Sequence, residues 1–345
     1  MVQSSDARDS SLVARRSPRG YDSTMRTPEA RSNANSTGML FGFAAYGFWA
    51  FVFPLHLRAL NAVAPEQIAS ARVPWSLEIL AHRLVWSLLL CLALCWMRGS
   101  LGALRRTLAD RRMLGRLALC AGLITINWLI FIVAMARGEL YRAGIGYFIT
   151  PIVQIVLGTL FLNETLRRGQ WWAIGLATSG MVVLIGVGIA IGGEVPWIEF
   201  GLASSFGLYG LLRKGASVGP IVGLTIETGM LLPIALAWLC FAPQLLAVPL
   251  GFLAGNTATV ALLIATGVST TVPLLCFAAA AARLPLSTLG FLQFVAPTGQ
   301  FLLGVLAFGE RPADGLLWIG YALIWAGVLA LLGEGVRAHF RRRLA

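Results

Sequence analysis

Long stretches of apolar residues recur along almost the whole chain. Residues 117–135 and 171–193 each contain no charged side chain. A helix that crosses the hydrocarbon core of a bilayer needs about 20 such residues. Only 12% of all residues are charged, whereas soluble domains carry about 25%. The chain is therefore predicted to be an all-α integral membrane protein.

We predict ten membrane spans between two polar tails. Residues 1–36, rich in Ser, Arg and Asp, are predicted to be a disordered cytoplasmic tail without the apolar run of a signal peptide. Residues 335–345 form a basic cytoplasmic tail. The spans lie near 38–57, 76–97, 114–135, 143–163, 171–192, 197–213, 220–241, 257–281, 286–308 and 315–334.

The basic residues predict the orientation of these spans. The net charge is +12, but Lys and Arg occur in short bursts between apolar runs, such as 105–112 and 341–343. Under a ten-span arrangement most of them fall on one side, and cytoplasmic loops are the side that collects Lys and Arg. Both termini are therefore predicted to be cytoplasmic. Bursts of this kind do not form one basic face, so we expect no nucleic-acid partner.

An internal repeat divides the membrane region in two. Residues 125–164 align without gaps on 271–310, and the pattern P-x-x-Q-x-x-L-G-x-L-x-x-x-E occurs in both. Each half, 38–192 and 197–334, contains five predicted spans, so the two halves are predicted to enter the membrane in opposite directions. Inverted repeats of this type place a substrate site between the halves and permit alternating access. A passive channel and a duplicated bundle without transport remain alternatives.

Ionisable side chains inside spans are functional candidates because they are costly to insert into a bilayer. His82, Arg83 and Glu227 are of this kind. Arg83 and Glu227 lie at similar depths of spans that correspond in the repeat. We hypothesise that they form a pair, which either joins the halves or binds substrate or a coupling proton.

Further candidates come from the repeated pattern and its surroundings. Gln154 and Gln300 each follow a proline by one turn, and the carbonyl that a proline frees needs a polar partner or a cavity. Glu164 and Glu310 end two corresponding spans and are either helix-end anchors or gates. The residues predicted to line a cavity are Gln154, Gln300, Asn127, Trp128 and Tyr147.

Catalytic and metal-binding patterns are not found. All five cysteines lie within apolar runs, and neither H-E-x-x-H nor G-x-S-x-G occurs. We therefore expect no catalytic residues, metal or cofactor, and an intramembrane enzyme or a non-transporting scaffold is a minor alternative.

Five runs of the sequence carry a resemblance to a known family: Glu78–Ser87, Asn127–Phe131, Gly146–Pro151, Thr270–Phe277 and Leu286–Phe291. They resemble the RarD-type proteins of the EamA family, within the drug/metabolite transporter superfamily. The resemblance covers about residues 38–335. It implies a bacterial inner-membrane protein with two EamA repeats that exports small metabolites or drugs by secondary active transport. Its partners would be a small-molecule substrate, membrane lipid and, as a candidate coupling ion, protons; cargo and oligomeric state stay open.

Overall fold

The structure is a computed structural model that describes residues 28–137, 140–192, 196–307, 309 and 315–344. All regular elements among these residues are helices. They are α1 Pro28–Gly47, a π-helical turn Phe48–Val52, α2 Phe53–Val63, α3 Glu66–Ala69, α4 Arg72–Met97, α5 Leu101–Ala109, α6 Arg111–Ala136, α7 Leu140–Leu162, α8 Arg168–Gly192, α9 Trp197–Lys214, α10 Pro220–Leu246, α11 Gly251–Ala254, α12 Thr257–Ala281, α13 Leu286–Gln293, α14 Val295–Ala307 and α15 Gly315–Leu344.

Eight helical segments of the described chain are long and apolar enough to cross a membrane. They are Asn35–Val63, Arg72–Met97, Arg111–Ala134, Arg142–Leu162, Arg168–Ala190, Pro220–Leu246, Thr257–Ala281 and Leu286–Ala307. The predicted sixth and tenth spans correspond to α9, which carries three charged residues, and to the shorter apolar stretch Gly315–Ala330 of α15. The chain is a multi-pass membrane protein, and the count of ten stays a prediction.

Helices of the two predicted halves pack directly against one another. From the second half, α9 lies on α6 and α7, α10 and α12 lie on α4, and α13 lies on α7. From the first half, α1 lies on α12. The interior between the halves is therefore built from both of them.

Glycines bring some of these helices unusually close. A Cβ added at Gly180 of α8 would lie 2.5 Å from the backbone oxygen of Gly320 in α15. A Cβ at Gly299 of α14 would lie 2.5 Å from Cβ of Ala50 in the π-helical turn. Small residues at helix contacts let backbones approach in membranes, where apolar burial alone does not drive helices together.

The π-helical turn interrupts the first apolar segment where α14 crosses it. Gln300 Nε2 donates a hydrogen bond to the carbonyl oxygen of Trp49 in this turn, at 2.9 Å. Such π-turns inside helices are frequently found at functional sites. Here the turn and α14 together form one wall of a cavity.

Candidate binding cavity

A cavity of about 640 Å³ lies between the two predicted halves. Pockets for small ligands have volumes of about 300–1,000 Å³, so this one can hold a metabolite-sized molecule. Most of its surface is apolar, and eight aromatic side chains contribute to it: Tyr46, Trp49, Phe53, Trp75, Trp128, Phe131, Tyr147 and Phe206.

The charged side chains of the cavity are all cationic. Arg83 and Arg72 line it, and among the described residues no Asp or Glu does. Arg72 is exposed and Arg83 is half-buried. The cavity also reaches Asn61, which is exposed and lies in α2, near the end of the first apolar segment Asn35–Val63. This end is therefore open to solvent.

Arg83 is held by one hydrogen bond and two aromatic rings. Its Nε donates to Thr270 Oγ1 of α12 at 2.8 Å. Its Cζ lies 4.9 Å from the ring centroid of Phe53 and 4.8 Å from that of Trp128. Cations bind favourably to aromatic faces at these distances. In the described part of the chain, Nη1 and Nη2 have no protein acceptor and no carboxylate is paired with the guanidinium.

Neutral polar groups complete the lining. Asn127 Nδ2 donates to the Leu202 carbonyl oxygen and to Ser205 Oγ, both at 3.0 Å, which ties α6 to α9. The Tyr46 hydroxyl and Gln293 Oε1 are buried at the cavity without a hydrogen-bond partner among the described residues. Both atoms are enclosed by protein and are not open to the cavity.

An aromatic cluster closes the cavity at the end away from Asn61. We use this name for Tyr46, Trp49, Phe206, Tyr209 and Phe277. Phe277 is central, with ring centroids 6.3 Å from Tyr46, 6.1 Å from Trp49, 5.4 Å from Phe206 and 5.8 Å from Tyr209. Tyr46, Trp49 and Phe206 also line the cavity, so the cluster forms its floor.

Glu164 fastens the two halves near this floor. Its Oε1 accepts from the Leu286 backbone N–H at 2.6 Å, and its Oε2 accepts from the backbone N–H and the hydroxyl of Ser287 at 2.8 and 2.6 Å. The first N–H groups of a helix lack intrahelical acceptors, and a carboxylate there is favourable. Glu164 of the first half thus caps α13 of the second. The corresponding Glu310 lies outside the described residues.

Glu227 has a different partner from the one that the sequence suggested. Its Oε1 lies 3.4 Å from Arg213 Nε, and its Oε2 accepts from the Tyr209 hydroxyl at 3.2 Å. Glu227 does not line the cavity. The hypothesised contact with Arg83 is wrong because Arg83 on α4 binds Thr270 of α12, whereas Glu227 on α10 pairs with α9.

His82 and Gln154 also lie away from the cavity. The His82 ring is stacked on Phe252 at 4.7 Å and its Nδ1 accepts from Trp86 Nε1 at 3.2 Å. Gln154 is fully buried, and both polar atoms of its side chain lack a partner among the described residues. The predicted residues that do line the cavity are Arg83, Asn127, Trp128, Tyr147 and Gln300.

Sequence reasoning missed a second buried ion pair and the partner of Glu227. Arg142 of α7 donates to Glu199 of α9 from Nε at 2.9 Å and from Nη2 at 3.2 Å. Glu199 and Glu227 are acids within apolar runs, a signal that can be found in a sequence. Arg142 and Arg213 border charged loops. The sequence alone therefore favours a position in those loops over one in the buried interior. Among the described residues, no three His, Cys, Asp or Glu side chains come together as a metal site.

Comparison with known proteins links this architecture to transporters. The model of the EamA-like transporter family matches residues 36–186. The chain is 41% identical to "Protein RarD" of Streptomyces exfoliatus over 317 residues, which cover 90% of this chain and 93% of that protein. It is 39% identical to an "Uncharacterized transporter" of Vibrio cholerae over 308 residues, or 89% and 95% of the two chains.

A solved crystal structure has a similar fold at low sequence identity. It superposes with a TM-score of 0.60 at 19% identity and covers 86% of this chain and 97% of its own. The helical architecture is therefore one that has been observed by experiment.

Proposed function

The chain belongs to the EamA-like transporter family and is a RarD-type membrane transporter; on this basis we propose that it exports small metabolites or drugs across a bacterial inner membrane by secondary active, alternating-access transport. The observation that carries the proposal is the cavity between the halves, which is open near Asn61 and closed by the aromatic cluster. A site that is open at one end only fits a transporter better than a channel, which needs a continuous path.

The proposed membrane topology has ten spans in two inverted repeats, with both termini in the cytoplasm. The basic residues of 105–112 then lie in the cytoplasm and the open end of the cavity faces outward. Reporter fusions at Ala103 and Gly255 test this, since we expect the first to be cytoplasmic and the second periplasmic. The same location for both reporters would contradict the topology.

We assign the cap at Glu164 to the inner gate. Its three hydrogen bonds hold α13 to the end of α7, so that gate opens only when they break. The repeat relates Glu164 to Glu310 and Leu286 to Leu140. In the inward-open state we expect Glu310 to cap α7 at the opposite end of the cavity, in the same way.

Glu227 is the proposed coupling residue. Its carboxylate holds the Tyr209 hydroxyl, and Tyr209 stacks on Phe277 in the aromatic cluster. Protonation of Glu227 removes the negative charge that attracts Arg213. The Glu227–Arg213 contact beside the closed floor is thereby weakened. The pair thereby links proton binding to opening of the cavity towards the cytoplasm.

Uptake into proteoliposomes tests the proposal. Metabolite profiles of cells that lack or overproduce the protein identify a compound, and its uptake is then measured with and without a pH gradient. We expect accumulation above equilibrium only with the gradient. Glu227→Gln should abolish accumulation and leave exchange intact, whereas the control Glu66→Gln, at an exposed residue of α3, should behave as wild type. Equilibration that ignores the gradient would instead favour a passive facilitator.

A further inference from the structure

The proposed function leaves open which charge the transported molecule carries. Resting on that function, we propose that the cavity binds a small organic anion: its carboxylate or similar group at Arg83, and a ring-sized apolar body against the aromatic walls. This names the chemical class of the substrate.

The balance of charge in the cavity is the first argument. Two arginines line it, and among the described residues no carboxylate does. The acid nearest to Arg83 in the sequence is engaged elsewhere: Glu78 accepts from the backbone N–H groups of Gly251 and Phe252, each at 2.9 Å. A cationic ligand would meet two arginines and no carboxylate among the described lining residues, and like charges repel. An anion is attracted by the same two side chains.

The hydrogen bonds of Arg83 are the second argument. A guanidinium has five N–H donors in a planar fork that matches a carboxylate or phosphate. Thr270 uses the Nε donor, and the four donors on Nη1 and Nη2 have no acceptor in the described part of the chain. The residue lines the cavity, so a bound anion can reach those donors.

The aromatic neighbours of Arg83 orient this fork without neutralising it. Phe53 and Trp128 each lie within 5 Å of Cζ and restrict the movement of the guanidinium. Cation–π contacts offset part of the cost of removing the cation from water but leave its full charge. The arrangement therefore holds a half-buried positive charge at the cavity wall, where an incoming anion can reach it.

The rest of the lining describes the body of the ligand. Trp49, Phe131 and Tyr147 present ring surfaces in the same cavity. A flat or ring-shaped hydrocarbon body with few polar groups complements such a wall.

A purely structural role for Arg83 is the competing explanation. The Thr270 hydrogen bond joins α4 to α12, and this contact alone predicts a loss of stability without any effect on ligand charge. The two explanations are separated by measuring binding of matched probes that differ only in charge.

Binding is measured on the full-length protein in detergent by quenching of tryptophan fluorescence, because Trp49, Trp75 and Trp128 line the cavity. The probes are 3-phenylpropionate, its neutral amide, the corresponding primary amine and acetate. The variants are Arg83→Gln, Arg83→Lys and the control Arg283→Gln. Arg283 also lies over a ring, Phe41 at 5.4 Å, and bonds a backbone carbonyl, but does not line the cavity.

We expect wild type and Arg283→Gln to bind 3-phenylpropionate at least about tenfold more tightly than the amide, the amine or acetate, because charge-assisted bidentate bonds exceed neutral ones by this order. Arg83→Gln should lose the preference for the acid over the amide, and Arg83→Lys should keep part of it. Should Arg83→Gln fail to fold, the order of the four probes on wild type still decides the matter.

Equal or tighter binding of the amide or the amine by wild type would overturn the proposal, and so would the absence of binding by the acid. An unchanged acid preference in Arg83→Gln would remove Arg83 from the site. Transport of a neutral or cationic compound in the proteoliposome assay would overturn the substrate class and leave the transport cycle standing, so the two failures are distinguishable.

Discussion

The cap at Glu164 allows a quantitative test of the inner gate. Glu164→Ala removes three hydrogen bonds of 2.6, 2.8 and 2.6 Å to Leu286 and Ser287. Hydrogen bonds to charged groups contribute about 1.5–3 kcal/mol each and a lost helix cap costs about 0.5–2 kcal/mol. Because Glu164 is only half-buried, solvent screens part of this, and we expect the closed floor to lose about 2–3 kcal/mol in total.

That loss raises the population of the open floor by about 30- to 150-fold, since 1.4 kcal/mol corresponds to a factor of ten. The reactivity of the Cys120 thiol reports the population of the open floor, because Cys120 is fully buried against the aromatic cluster. A variant that keeps Cys120 as its single cysteine is made by replacing Cys91, Cys95, Cys240 and Cys276 with Ala. Its rate of reaction with N-ethylmaleimide is then measured with and without Glu164→Ala.

We expect the labelling rate to rise by that factor in Glu164→Ala, and by less in Glu164→Gln, which keeps one acceptor oxygen. Glu78→Ala is the matched control, since Glu78 also accepts two backbone N–H groups but at the start of α11. A labelling rate that Glu164→Ala leaves unchanged, or that Glu78→Ala raises equally, would refute the assignment of the inner gate.

Two predictions concern the packing of the spans. Arg213→Gln or Glu227→Gln alone strands a buried charge, which typically costs about 3–5 kcal/mol, so each should lower the melting temperature, and the double variant should recover it. Arg83→Gln with Glu227→Gln should show no recovery, and a recovery would contradict the observed pairing. Gly180→Leu should lower the yield of folded protein because its Cβ meets the backbone of α15 at 2.5 Å, whereas Gly175→Leu, with open space around it, should not; equal yields would contradict this contact.

The membrane class and the family could be predicted from the sequence, for clear physical reasons. Apolar runs long enough to span a bilayer are a local property, and the EamA resemblance rests on short contiguous runs such as Gly146–Pro151. Family membership is confirmed by the relatives. The predicted inverted repeat and the roles of the candidate residues stay predictions.

The pairing of charges could not be predicted, because it depends on which helix faces meet. Glu164 and Leu286 are 122 residues apart, and Arg142 and Glu199 are 57 apart. Similar depth suggested that Arg83 pairs with Glu227, but depth does not report the direction in which a side chain points around its helix. Arg213 ends α9 beside Lys214 and therefore resembled a loop residue, although it is buried.

The most direct test of the transport cycle measures both ends of the cavity in one protein. The substitution Leu57→Cys, at a cavity residue on the open side, is added to the variant that retains Cys120, and both labelling rates are followed as Glu164→Ala shifts the equilibrium. Alternating access predicts opposite changes: Cys120 becomes more reactive, while the thiol introduced at position 57 becomes less reactive. Faster labelling at Cys120 with no decrease at the other position would mean that both ends are open together, and would contradict a transporter that exposes its site to one side at a time.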